Sequence, residues 1–201
     1  MPPLAGLCSM EEAMNPGLSV EECVRRLKRY HYSFKRLHEI FTARITAEPI
    51  YELKMGFSLH AHLCAEHTAA LRKRIGEMRE PPLGLDVVPD ANLKIFFDEI
   101  LAAPSTEELL LGIYHKAVPA LTEALEQHQK QTNKLVDQPS VRVCRFALLE
   151  LKDLLEFGAK SIAALVTDQQ RTVAERLDRF AHCRFNAVRR RARRDCSAPA
   201  S

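Results

Sequence analysis

Apolar side chains recur at a spacing of three and four residues along four long stretches of this 201-residue chain. That spacing places them on one side of an α-helix, and proline or a capping serine bounds the stretches. No segment alternates apolar and polar residues as a half-buried strand would. The fold class predicted is therefore all-α. The predicted helices span about residues 19–47, 50–79, 91–101, 105–133 and 140–166, and a last one starts near Gln169.

Long helices joined by short connections favour an antiparallel four-helix bundle, here with an additional C-terminal helix. We predict a bundle domain over residues 18–183, preceded by a flexible leader at 1–17. Residues 184–201 form a basic tail with six Arg and one Asp, against a net charge of +3 for the whole chain. The bundle is therefore close to neutral, which argues against a nucleic-acid-binding core. Pro119, inside the third long helix, predicts a kink.

The six cysteines are scattered and form no Cys-x-x-Cys pair, which excludes a zinc ribbon or a thioredoxin-type motif. We interpret them as reduced thiols of a cytoplasmic protein. The sequence contains no run of 18 apolar residues, so it predicts no membrane span. The N-terminus has neither the basic region nor the long apolar region of a signal peptide. The loops that bind nucleotide phosphates and the Gly-x-Ser-x-Gly nucleophile motif are also missing from the sequence.

Histidines interrupt the apolar faces of the first two long helices. His31 and His38 lie on the face of the first helix, and His60 and His67 lie on that of the second. If the two helices form an antiparallel hairpin that turns near residue 48, His38 faces His60 and His31 faces His67. Imidazole is the commonest metal ligand, and facing helices allow two rings to reach one ion. The pattern therefore predicts a histidine-rich metal site on this hairpin.

Glu66, at the edge of the same face, is a candidate carboxylate ligand or an orienting partner. Cys64, between the two histidine layers, is either a soft ligand or a small apolar filler. The alternative is that each imidazole bonds a separate neighbour and has no role in metal binding. A second small site near His128 and Cys144 is a further possibility.

Two segments, "LHAHLCAEHTAALRKRIGEMREPPLG" and "DQPSVRVCRFALLELKDLLEFG", resemble the second and fourth bundle helices of uncharacterised ferritin-like proteins. The resemblance implies a left-handed four-helix bundle and a di-iron or di-manganese site used for oxidation, hydroxylation or iron storage. The superfamily site takes Glu-x-x-His from two helices, and the fourth helix here has none. Its Glu150 and Asp153 fall outside the apolar face we predict for that helix, which consists of Val141, Cys144, Leu148, Leu155, Ala159 and Ile162.

Two functions follow as alternatives. The first is a ferritin-like protein that binds iron or manganese through His31, His38, His60, His67 and Glu66 and acts as a metal-dependent oxidoreductase. The second is a non-catalytic helical module, for packing or partner binding, that has lost the metal site. A homo-oligomer formed through the bundle surface is the predicted assembly, and binding of nucleic acid or an anionic membrane by the tail is disfavoured.

Overall fold

The computed structural model describes residues 6, 8–78, 85 and 87–167. Within these ranges the chain is helical and contains no strand, which confirms the all-α prediction. None of the described helices has a segment long and apolar enough to cross a membrane. The predicted helix from Gln169, the tail at 184–201 and the end of the domain at 183 lie outside the described residues. The helices are α1 (Met10–Met14), α2 (Val20–Ala47), α3 (Tyr51–Glu77), α4 (Ala91–Leu101), α5 (Thr106–Leu110), a π-helical segment (Leu111–Ala117), α6 (Val118–Gln131) and α7 (Gln138–Leu165).

Helices α2 and α3 form the predicted hairpin. Ser19 caps α2, since its hydroxyl accepts a hydrogen bond from the Glu22 backbone N–H. The chain turns between Ala47 and Tyr51, and the rings of Phe41 and Phe57 then pack 5.7 Å apart across the hairpin. Helix α3 also packs on α7, α7 packs on α6, and α6 packs on α2. The core lies between these helices and also takes in residues of α4 and α5, among them Phe97 and Leu109.

Two glycines allow close approach in this core. A Cβ atom at Gly56 of α3 would overlap the Phe157 ring, and one at Gly158 of α7 would overlap Tyr114. Glycine is therefore required at both positions by the neighbouring aromatic ring.

The face of α7 that is buried in the structure differs from the face predicted from the sequence. The buried residues of α7 are mostly small or polar, and at Gly158 the Tyr114 ring of the π-helical segment fills the space that a side chain would take. Of the predicted apolar face, only Cys144 is fully buried, and larger members such as Leu148 and Leu155 lie at its margin. The buried set is Ser140, Cys144, Ala147, Leu151, Leu154 and Gly158.

The third long helix is continuous from Thr106 to Gln131 but irregular in its middle. Residues Leu111–Ala117 are π-helical and directly precede Val118 and Pro119. Pro119 has no backbone N–H, so it cannot donate the regular α-helical hydrogen bond to the carbonyl four residues before it. The irregularity that proline predicts here takes the form of a π-helical segment, which carries the buried Tyr114.

The leader contains a short helix that the sequence analysis did not predict. Ser9 and Glu12 form a full capping box, in which the side chain of each accepts a hydrogen bond from the backbone N–H of the other. After α1, the leader lies against the turn between α6 and α7, where the Asn133 amide donates hydrogen bonds to the carbonyls of Ala13 and Asn15. The part of the leader around residues 13–15 is therefore docked beside the ends of two core helices.

Candidate metal centre

The structure buries three of the four histidines predicted as ligands. His31, His60 and His67 are each less than a tenth exposed, as expected for residues on the core faces of α2 and α3. His38 is half-buried, and Glu66 is exposed. The predicted orientation of these two helices is therefore correct for the buried imidazoles.

His60 lies in an aromatic cluster rather than beside another imidazole. A hydrogen bond of 2.7 Å joins its Nδ1 to the Tyr114 hydroxyl, and the rings of Phe41 and Phe157 lie 5.4 and 4.9 Å from its own. Burial disfavours the imidazolium and lowers the pKa of His60 to about 4. His60 is thus a neutral core residue with a tyrosine partner.

His38 and His67 each have a different partner. The Nδ1 of His38 donates to the Ala61 carbonyl at 2.9 Å. The Nε2 of His67 lies 2.6 Å from a carboxylate oxygen of Glu150 on α7. Burial lowers the pKa of His67, and the Glu150 carboxylate opposes that shift. Glu150, which the sequence analysis placed outside the apolar face of α7, therefore reaches the seam between α3 and α7.

The structure does not bring the five predicted ligands together. Among the described residues, three or more ligand atoms of His, Cys, Asp or Glu approach within 4.8 Å of one another at one place only, and none of the five belongs to that group. The imidazoles of His38, His60 and His67 instead bond or approach separate neighbours. A metal ion held jointly by the hairpin histidines gains no support from this geometry.

The group that does form consists of Cys23, His128 and Asp137, all buried. Cys23 is in the first turn of α2, His128 is in the last turn of α6, and Asp137 immediately precedes α7. The three residues therefore tie together the ends of three core helices. Sequence separation exceeds 100 residues between Cys23 and either partner, so the fold alone brings them together.

Thr132 and Arg74 complete the surroundings of this triad. The Thr132 hydroxyl donates to the Asp137 carboxylate at 3.0 Å and lies 3.8 Å from the Cys23 sulfur. Arg74 of α3 donates to the other carboxylate oxygen of Asp137 at 3.0 Å and, through Nε, to the Ser140 hydroxyl at 2.8 Å. All four long helical segments thus contribute to this end of the core.

The charge state of the triad follows from these contacts. Burial by itself raises the pKa of Asp137, but its interactions with His128, Ser140, Arg74 and Thr132 outweigh burial and hold the pKa well below its usual range. The carboxylate is therefore ionised at neutral pH. Burial raises the pKa of the Cys23 thiol, and the Asp137 charge adds to that effect. Cys23 is thus a protonated thiol beside a carboxylate.

His128 is the least satisfied member. Its side chain is 0% exposed, and within the described part of the chain neither ring nitrogen has a hydrogen-bond partner. Its Nε2 lies 3.6 Å from the Asp137 carboxylate, beyond hydrogen-bond distance, and the Tyr30 ring packs edge-on at 5.7 Å. A neutral imidazole must carry one N–H and one free lone pair, and within the described residues the long contact with Asp137 is the closest that either nitrogen comes to a polar partner, which costs free energy.

Sequence reasoning noted His128 and Cys144 as a possible second site but missed Cys23 and Asp137. Asp137 belongs to "VDQPS", which we interpreted as a turn with a capping residue. Asp137 does occupy the cap position of α7, yet its side chain makes no capping hydrogen bond and accepts hydrogen bonds from Arg74 and Thr132 instead. Which partners the Asp137 carboxylate bonds depends on where Arg74 and Thr132 lie in the folded protein. A local sequence pattern carries no information on those positions.

Comparison of the chain with models of known protein families, with curated proteins and with solved structures found no match.

Proposed function

We propose that this all-α protein binds a transition-metal ion, preferentially zinc, through Cys23, His128 and Asp137. The observation that supports this most strongly is the His128 imidazole, which is fully buried, forms no hydrogen bond with any described residue, and is grouped with a thiol and a carboxylate. The free lone pair of one imidazole nitrogen would coordinate the ion. Thiolate, imidazole and carboxylate are the three ligand types that zinc uses in proteins.

The surroundings favour a structural role for the ion. Structural zinc sites are closed, whereas catalytic sites keep a position open to water or substrate. Three protein ligands leave the fourth position of a tetrahedral zinc ion unfilled. All three ligands are buried, and so is Thr132, which contacts two of them, so this position would face the protein interior rather than solvent. The ion would join the first turn of α2 to the ends of α6 and α7. The Cys23 thiol would release its proton on binding, so affinity would rise with pH.

The bundle itself is part of the proposal. Packing of α2 on α3, α3 on α7, α7 on α6 and α6 on α2 supports an antiparallel four-helix arrangement. The free thiols of Cys8, Cys23, Cys64 and Cys144 agree with a reducing, cytoplasmic setting. The ferritin-like relationship, the iron-dependent oxidoreductase and the homo-oligomer stay predictions from sequence.

Elemental analysis of protein purified without an affinity tag tests the proposed site. We compare the wild type, Cys23→Ser and His128→Gln with two controls, Cys144→Ser and the double variant His60→Ala, His67→Ala. We expect near-stoichiometric zinc in the wild type and both controls, and loss of zinc in the two site variants. Cys144 is the matched control, because it is a buried thiol next to the triad but not in the group.

Cobalt substitution gives an independent measurement, because a thiolate ligand adds a charge-transfer band to the spectrum of tetrahedral cobalt. Cys23→Ser should abolish this band, and Cys144→Ser should keep it. Zinc lost from the His60, His67 double variant but kept in Cys23→Ser would instead assign the ion to the first hairpin. A wild type that takes up no metal after reconstitution would overturn the proposal.

A further inference from the structure

We infer that residues 8–17 of the leader form a latch over the triad, and that Asn133 holds the latch closed. The inference depends on the proposed metal site for its purpose, since the latch would control how fast an ion enters and leaves. Its geometry depends only on contacts between the leader and the α6–α7 turn, none of which involves a metal.

Asn133 connects the leader to the turn that carries Asp137. Its side-chain oxygen accepts hydrogen bonds from the backbone N–H groups of Leu135 at 3.0 Å and Val136 at 2.9 Å. Its side-chain nitrogen donates to the carbonyls of Ala13 at 2.9 Å and Asn15 at 2.6 Å. One amide therefore shapes the α6–α7 turn with one end and fastens the leader with the other, using both of its donors.

The same residue positions a ligand. The backbone carbonyl of Asn133 accepts from the Asp137 N–H at 2.9 Å, so leader, turn and Asp137 are joined through a single residue. Asn133 directly follows Thr132, whose hydroxyl touches both Cys23 and Asp137. Displacing the leader would therefore loosen the part of the chain that closes the triad.

Gly17 shows how closely the leader lies on this turn. Its φ is +67°, in the left-handed region that glycine adopts most readily. A Cβ atom at this position would overlap the backbone of Thr132 and Asn133. Gly17 also lies only six residues before Cys23, so a displacement of the leader would be transmitted through a short segment to the start of α2.

The test measures the accessibility of Cys23 in metal-free protein, through its rate of alkylation by iodoacetamide, located by mass spectrometry. Asn133→Asp keeps the oxygen that shapes the turn but places a second oxygen against the carbonyls of Ala13 and Asn15. We expect Cys23 to be alkylated about tenfold faster, since two hydrogen bonds are lost and replaced by repulsion. Cys64, buried in α3 away from the leader, reports global unfolding and should keep its rate.

Two further variants make the result decisive. Gly17→Ala changes only the leader and should also expose Cys23, because its methyl group forces the leader off the turn. Asn92→Asp makes the same chemical change on the exposed face of α4 and should alter neither thiol. An unchanged Cys23 rate in both latch variants, or equal acceleration of Cys23 and Cys64, would overturn the latch.

Zinc uptake in the same proteins separates the two proposals. If the latch variants expose Cys23 and the wild type binds zinc, both stand, and chelators should remove zinc about tenfold faster from Asn133→Asp. If Cys23 becomes exposed but no variant binds zinc, the latch stands and the metal site fails. If zinc binds but Cys23 stays protected, the metal site stands and the latch fails.

Discussion

The molecule buries histidines in two regions that differ in how the imidazoles are satisfied. In the middle of the bundle, His60 has a tyrosine partner and three neighbouring aromatic rings. At the end of the bundle, His128 is more deeply buried and has no hydrogen bond among the described residues, but it lies beside a thiol and a carboxylate. The comparison shows that the partners available to a buried histidine, more than the number of histidines on a face, separate a core residue from a candidate ligand.

The largest effect expected in either region is that of Asp137→Ala. It would leave the Arg74 guanidinium, 13% exposed, without its principal carboxylate. Breaking a buried ion pair from one side costs about 3 to 5 kcal/mol of unfolding free energy, and denaturant titration would measure it. Glu77→Ala is the control, because Glu77 meets the same guanidinium at 3.3 Å from an exposed position and should cost under about 1 kcal/mol. Equal losses in the two variants would contradict the buried role of Asp137.

The lowered pKa of Asp137 also leads us to expect a loss of stability in acid. Its pKa is lowered in the folded protein relative to the unfolded chain, so its contribution is complete above about pH 4 and declines as the pH falls further. Wild-type stability should therefore decrease more steeply below pH 4 than that of Asp137→Asn. Parallel pH profiles for the two proteins would show that this carboxylate is not favoured in its ionised form.

Gly158→Ala is expected to have the next largest effect and tests the middle of the bundle. The added methyl group would overlap the Tyr114 ring, and overpacking of this kind costs about 1 to 3 kcal/mol. Gly76→Ala is the matched control, since α3 offers open space at that position and alanine favours the helix by about 1 kcal/mol. The two variants should thus shift the melting temperature in opposite directions. A stabilised Gly158→Ala would mean that the seam between α7 and Tyr114 is looser than described.

The effect that is smallest at neutral pH, and that grows only in acid, concerns the titration of His60. Its pKa in the folded protein is about 4, below the usual value of 6.5, so the unfolded chain binds a proton more readily. Stability should fall as the pH drops from 6.5 toward 4, by about 3 kcal/mol from this residue. His60→Gln should flatten that part of the profile, while the control His62→Gln, exposed on the same helix, should leave it unchanged. A profile that keeps its slope in His60→Gln would assign the proton uptake to another group.

Much of the helical framework could be predicted from the sequence. The hydrophobic spacing gave the bounds of α2, α3 and α4 to within about two residues, because local periodicity and capping decide where a helix begins and ends. In the third long helix, the apolar residues spaced by three and four from Leu110 to Leu125 are buried, as that spacing predicts. These features depend on residues close together in the chain, which a single sequence contains.

The face of α7 and the candidate centre could not be predicted in the same way. Glycine and alanine carry little hydrophobic signal, yet Gly158 and Ala147 are buried, and the Tyr114 ring lies directly against Gly158. The triad depends on side chains from α2, α6 and the start of α7 meeting in space. A pattern search on the first hairpin finds the histidines but carries no information on which partners the other helices bring to them.

The triad and the latch also bear on the order in which the chain folds. The contact between Cys23 and Thr132 closes a loop of 109 residues, and that between Asn133 and Ala13 closes one of 120. Closing long loops costs more chain entropy than forming a hairpin such as α2–α3, so these contacts are expected to form after the folding transition state. Interactions formed that late slow unfolding without accelerating folding. Stopped-flow kinetics of Asn133→Asp should therefore show a faster unfolding rate and an unchanged folding rate, which would make this end of the bundle a determinant of the protein's lifetime in the folded state.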